Sequence, residues 1–192
     1  MIPSKLLKMF ACEFAPVLAD IYNVSMQQGV FPQRLKRAIV RPIPKQSPPK
    51  CIEDDLRPIS LTSQVSKLLE GFTLKLLLSQ VADQLDPKQF KKSTRHALVY
   101  MLHSVLAGLE SGQCSVRIFF ADFKKGFDLV DHNVLNNELV KFGVHPAIHR
   151  WIRDFLTNRE QCVQIQSCFS WKRMNGGLPQ GTKLGLLLLA IL

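Results

Sequence analysis

Residues 116–131 read Val-Arg-Ile-Phe-Phe-Ala-Asp-Phe-Lys-Lys-Gly-Phe-Asp-Leu-Val-Asp, and no other stretch constrains the folding of this chain as strongly. The unbroken apolar run Ile118-Phe119-Phe120-Ala121 reads as a buried central strand. It ends abruptly in the carboxylate of Asp122. An ionised acid at the end of a buried strand is costly unless a cation or hydrogen-bond donors compensate it. A bound Mg²⁺ or a lysine would do so, and strand ends in helix-covered sheets are where sites gather. With strand alternation Val116, Ile118, Phe120 and Asp122 share one face, so the carboxylate projects from an otherwise apolar surface. The plainer alternative is an aspartate hydrogen-bonded at a strand end.

The rest of the chain mixes helical and extended segments. Leu6, Leu7, Phe10, Phe14, Val17, Leu18 and Ile21 recur at helical spacing. Pro16 should break or kink that run and Gly29 should cap it, which predicts two N-terminal helices. Residues 31–50 carry Arg34, Lys36, Arg37, Arg41, Lys45 and Lys50 with no acid. Their five prolines favour extended edge strands and a loop. Residues 56–61 read as a short strand. Ser63 can cap a long helix with Leu68, Leu69, Phe72, Leu76 and Val81 on its apolar side, ended by Asp86-Pro87. Another helix opens at Ser93 or Thr94 and closes at Gly112. Asp131 and Gly143 bracket a helix over 132–142. Pro146 starts the next, where Ile148, Trp151, Ile152, Phe155 and Leu156 form one stripe. Cys162, Val163 and Ile165 suggest a strand, with a second near Trp171. Helices mixed with few strands predict an α+β class, helix-rich with a small antiparallel sheet.

The chain has 192 residues, enough for one domain, and its 46% hydrophobic content suits a buried core. A net charge of +10 fits a polyanionic partner, nucleic acid before anionic membrane. Five cysteines without a CxxC pair argue against a zinc site and suit a reducing compartment. The apolar run 184–192 is too short to span a bilayer and reads as a core helix, so no membrane is expected among the partners.

Three segments carry candidate chemistry: Asp122-Phe-Lys-Lys-Gly-Phe-Asp128, Gly176-Gly-Leu-Pro-Gln-Gly-Thr-Lys-Leu-Gly185 and Arg57-Pro-Ile-Ser-Leu-Thr62. They resemble motif A, motif B and the fingers segment of reverse transcriptases, most closely those of non-long-terminal-repeat (LINE-type) retrotransposons. Matches continue through Tyr22-Asn-Val-Ser25, Gln28-Gly-Val-Phe-Pro32, Leu85-Asp-Pro-Lys-Gln-Phe90, Asp131-His-Asn133 and Trp151-Ile-Arg-Asp-Phe-Leu156. The resemblance implies Mg²⁺-dependent RNA-templated DNA synthesis, with an RNA template, a DNA primer and dNTPs as partners. It implies an intracellular place, nuclear or cytoplasmic. Asp122 would be the metal-binding catalytic acid. Phe127 would be the aromatic floor under the incoming sugar, and the amides near Lys125 and Gly126 would face the triphosphate. Arg57, helped by Lys45, would grip that triphosphate, since arginine clasps phosphate oxygens bidentately. Gln180, in the turn with Gly181, would touch the nucleotide and template base. Asp128 and Glu70 match the family in structural roles.

The chain departs from the family in places. Gly126 and Gly185-Leu186 stand where relatives carry alanine and Gly-Pro, and residues 91–98 are several positions shorter than the usual loop. The Asp-Asp turn and the thumb are not found in it. Two-metal phosphoryl transfer needs carboxylates holding ions roughly 4 Å apart, and one aspartate cannot hold two metals. The expectation is a partial right-hand polymerase, fingers plus incomplete palm: an N-terminal helical extension over 1–30 and a partial reverse transcriptase domain over 31–192, with activity lost or latent. The alternative is a non-catalytic basic RNA- or DNA-binding module.

Overall fold

The computed structural model describes residues 2–46, 48, 51, 55–85, 94–112, 115–120, 125–165 and 168–192. The chain opens with α1 (Ser4–Met9) and α2 (Ala11–Gln28). Two helices were expected, but the break falls at Phe10 and Pro16 lies inside α2. Gly29 ends α2 in the left-handed region at φ 65°, and the amide of Val30 reaches back to the Ser25 carbonyl at 3.0 Å. A side chain at position 29 would start only 3.0 Å from Cβ of Arg150. Glycine therefore serves both the turn and a close helix contact.

Strand β1 (Arg37–Pro44) pairs antiparallel with β2 (Leu56–Leu61), placing Pro42 opposite Pro58. β3 (Glu160–Ile165) pairs parallel with β1 over Arg37–Val40 and antiparallel with β4 (Cys168–Arg173). The sheet order is β2-β1-β3-β4. This mixed sheet corrects the expectation of an antiparallel one. A tight turn would force antiparallel pairing, but the long helical crossover between β1 and β3 lets the strands run the same way. The prolines still sit at an edge locally: Pro42 and Pro44 lie beyond the last β1–β3 pair.

The second correction concerns the apolar run before Asp122. Residues 115–120 form no strand. Phe119 and Phe120 are 91% and 76% exposed. No described strand pairs with them, and an apolar run without a partner edge or covering layer has nothing to bury against. Asp122 itself, with residues 121–124, lies outside the described residues.

The core is built around α6 (Pro146–Leu156), whose stripe Ile148, Trp151, Ile152, Phe155 and Leu156 is buried as its spacing predicts. Around it lie α2, α3 (Gln64–Val81), α5 (His132–Lys141) and α7 (Gly185–Ile191). Phe31 meets Trp151 and Phe155 edge-on, each at 5.1 Å between ring centres, while Trp151 and Phe155 stack at 5.7 Å. Side chains of this size contribute about 1.5–3 kcal/mol each when fully buried. Ser63 caps α3 by accepting the Ser66 amide, and Asp131 caps α5 by accepting that of Asn133. The apolar side of α3 is rotated from expectation: Leu69 and Val81 are buried, but Phe72 and Leu76 are exposed. Helix α4 (Thr94–Glu110) leaves Leu98, Val99 and Leu102 more than half exposed.

Polar links tie the N-terminal part into this core. The Trp151 indole donates to Ser25 Oγ (2.8 Å), which donates to the Val30 carbonyl (2.6 Å). Lys36, one of the basic residues of 34–50, is buried and paired with Asp154 at 2.8 Å. Arg37 is paired with Glu160 at 2.8 Å. Part of that basic stretch thus holds the fold together rather than facing solvent alone. Among the described residues, no helix is long and apolar enough to cross a membrane.

Candidate functional site

Two loops distant in sequence are joined by backbone hydrogen bonds. Lys125, at φ 60°, opens a tight turn whose carbonyl accepts the amides of Asp128 (2.9 Å) and Leu129 (3.1 Å). The next residues run beside 177–178. The Leu178 amide donates to the Phe127 carbonyl at 2.7 Å, and the Gly177 amide to that of Val130 at 2.9 Å. Gly177 has φ 76°, and a Cβ there would fall 2.8 Å from the Asp128 carbonyl oxygen. Only glycine allows this approach. A ring nitrogen of His132, at the start of α5, lies 2.8 Å from the Gly177 carbonyl. The Phe127 side chain is half-buried against the core.

The turn after Pro179 docks on the sheet. The Ser60 amide of β2 donates to the Gln180 carbonyl at 3.1 Å. Gly181 has φ 94°, and a Cβ there would lie 3.1 Å from the Ser60 carbonyl oxygen. Thr182 Oγ1 closes the turn on the Pro179 carbonyl at 2.9 Å. The three motif segments therefore meet at one place. Between them lies a cleft of about 170 Å³ lined by Val40, Ser60, Asp128, Val163, Pro179 and Gln180 among others. Gln180 Nε2 points to Asp128 Oδ1 at 3.5 Å, too long for a firm bond. The Gln180 amide is thus only loosely engaged.

Not every residue singled out from sequence reaches this cleft. Arg57 is exposed and pairs in register with Ile43. Strand alternation puts it on the opposite face of β2 from Pro58 and Ser60, which line the cleft. Lys45 follows β1, and its amide donates to the Asp55 carbonyl at 2.7 Å. Lys125 is exposed and Gly126 half-buried, both in the turn beside Phe127. Among the described residues lining the cleft, Asp128 is the single acid. No three His, Cys, Asp or Glu side chains gather among the described residues to hold a metal ion. These residues alone do not fit a two-metal centre.

Behind the Gln180 turn lie two buried charged residues, Glu70 and Arg159. Glu70 on α3 is fully buried and accepts from Ser66 Oγ (3.0 Å) and from the Lys183 amide (2.8 Å). Burial pushes its carboxyl above the usual range, against the pull of the Lys183 amide, Ser66 and Arg159. Arg159 is equally buried, and burial lowers it to about 10 while Glu70 opposes the shift. Its Nη1 donates to the Phe155 carbonyl at 3.0 Å, and its guanidinium lies 4.6 Å from the Phe155 ring centre. A usable signal did exist: Ser66, Glu70, Thr73, Leu77 and Val81 follow a helical period, and an acid within such a stripe needs partners.

The sequence model of a family described as reverse transcriptase (RNA-dependent DNA polymerase) matches residues 43–192. The chain is 29% identical over 181 residues to a probable RNA-directed DNA polymerase from transposon BS of Drosophila melanogaster, covering 91% of this chain and 20% of that protein. It is 31% identical over 185 residues to the RNA-directed DNA polymerase from mobile element jockey of Drosophila funebris, with the same two coverages. A probable RNA-directed DNA polymerase from transposon X-element of Drosophila melanogaster is 27% identical over 174 residues. The chain thus spans about a fifth of the length of the curated relatives it matches.

Proposed function

This chain belongs to the reverse transcriptase family, and on that premise we propose that it forms the fingers and part of the palm of a LINE-type transposon polymerase. The activity it would serve is RNA-templated synthesis of DNA, which in this family is generally Mg²⁺-dependent. The observation that supports the reading best is the meeting of three motif segments: Ser60 bonded to Gln180, Leu178 bonded to Phe127, and Gly177 packed on Asp128. In this reading Gln180 and Gly181 face the nascent base pair, Phe127 underlies the sugar, and the turn at Lys125 and Gly126 faces the triphosphate. Arg57 and Lys45 steady phosphates from the hairpin side. Arg57 would have to act from the far face of β2, at the hairpin's rim. Asp122 supplies a metal-binding carboxylate. Two-metal transfer needs further carboxylates beside it, so binding of primer, template and nucleotide is the part of the reaction for which these residues account.

The test is binding of a fluorescent dNTP, with Mg²⁺, to the purified chain carrying an RNA-template/DNA-primer duplex, alongside a primer-extension assay. Matched nucleotide should bind more tightly than mismatched, and Asp122→Ala should weaken that binding without releasing the duplex. Equal binding of matched and mismatched nucleotide would sink the reading. Duplex binding that weakens steeply with salt but shows no nucleotide preference would favour a basic nucleic-acid-binding module.

A further inference from the structure

The turn that carries Gln180 has no regular secondary structure of its own, yet the reading above asks it to hold one side chain against a base pair. Its supports can be followed one by one. On the sheet side, the Ser60 amide holds the Gln180 carbonyl at 3.1 Å. On the opposite side the support comes from α3. The Glu70 carboxylate accepts the Lys183 amide at 2.8 Å, three residues beyond Gln180. The neighbouring residue of α3 is Gly71, and a Cβ there would lie 3.2 Å from Lys183 Nζ and 3.6 Å from its Cδ. Lys183 therefore lies across α3 by both backbone and side chain, in a space that glycine leaves open. Glu70 cannot easily drift, because Ser66 Oγ holds its other oxygen at 3.0 Å.

We propose that Glu70 is a positioning residue for nucleotide selection: held by Ser66, it fixes Lys183 and so sets the height at which Gln180 meets the base pair. The inference rests on the reading of Gln180 given above and adds a residue that touches neither nucleotide nor metal. A carboxylate suits the task. It offers two oxygens, so one can be anchored while the other holds the turn, and a bond to a charged acceptor is about twice as strong as a neutral one. The helix, rather than the flexible turn, then decides the position of Gln180.

The test compares the wild-type chain with Glu70→Gln, which keeps reach and loses charge, and Glu70→Asp, which keeps charge and loses reach. Ser66→Ala is a milder variant that leaves the carboxylate itself intact. Each is measured for matched and mismatched dNTP binding on a primer–template duplex with Mg²⁺, for duplex affinity, and for hydrogen exchange of the amides over 180–184. The expected result is a loss of matched-nucleotide affinity of about tenfold for both Glu70 variants and about threefold for Ser66→Ala. Mismatched-nucleotide and duplex affinities should stay near wild type, and exchange over 180–184 should accelerate. A role confined to stability would lower every affinity together with the unfolding temperature, and that outcome overturns the proposal. So does unchanged nucleotide selectivity in folded variants. If the wild type shows no nucleotide selectivity, the reading of Gln180 fails. Exchange then decides separately whether Glu70 holds the turn: protection equal to wild type in all variants rejects it, and loss of protection supports it.

Discussion

Gly177 shows how much one residue can carry. It has φ 76°, its amide and carbonyl are both engaged, and a Cβ would sit 2.8 Å from one carbonyl oxygen and 3.0 Å from another. Gly177→Ala combines left-handed strain with a clash against backbone that cannot swing aside. We expect it to cost about 1–3 kcal/mol in denaturant unfolding and to abolish matched-nucleotide preference. A variant as stable and selective as wild type would show that the two loops are not rigidly joined. Gly181 is strained in the same way, since at φ 94° a side chain is unfavourable and its Cβ would lie 3.1 Å from the Ser60 carbonyl oxygen.

Helix α6 is the element on which the others converge. Phe155 stacks on Trp151, meets Phe31 edge-on and lies under the Arg159 guanidinium. Phe155→Ala should destabilise the chain by about 3–5 kcal/mol in urea unfolding, more than a Phe→Ala change at an exposed position. A loss below ~1 kcal/mol would mean that α6 is not the centre of the core. This element was legible in advance, because its apolar residues keep helical spacing between a proline start and a polar face. The same holds for β2, the Ser63 and Asp131 caps, and the Gly29 terminus, where the signals are local. What was not legible depends on distant partners. The phase of α3 differs from expectation because Phe72 and Leu76 have the composition of core residues, whereas the packed stripe runs through Ser66, Glu70 and Thr73. The apolar run 118–121 has the composition of a buried strand, but composition does not supply a neighbouring edge. The meeting of Ser60, Phe127 and Gln180 has no periodic signature at all, and only the resemblance of three separate segments suggested it.

At the scale of the whole molecule, a net charge of +10 is combined with several bare apolar side chains. Phe119, Phe120, Leu129 and Leu186 are each at least 70% exposed, a pattern that favours self-association. Phe119→Ser should raise the soluble fraction on ultracentrifugation while changing folding stability by less than about 0.5 kcal/mol. A marked fall in the unfolding temperature would show that Phe119 packs against something in solution. The sheet has a different consequence, in time rather than space. Its β1–β3 pair joins Arg37 to Glu160, 123 positions apart, so a chain leaving a ribosome makes the β1–β2 hairpin long before β3 exists. At roughly 5–20 residues per second the wait is on the order of ten seconds. Throughout it one side of β1 is open to any passing strand. Arg37 and Arg41 stand on that strand, and like charges on an unfinished edge discourage the wrong partner. Until Glu160 emerges to meet Arg37, a residue that later locks the sheet acts as its guard.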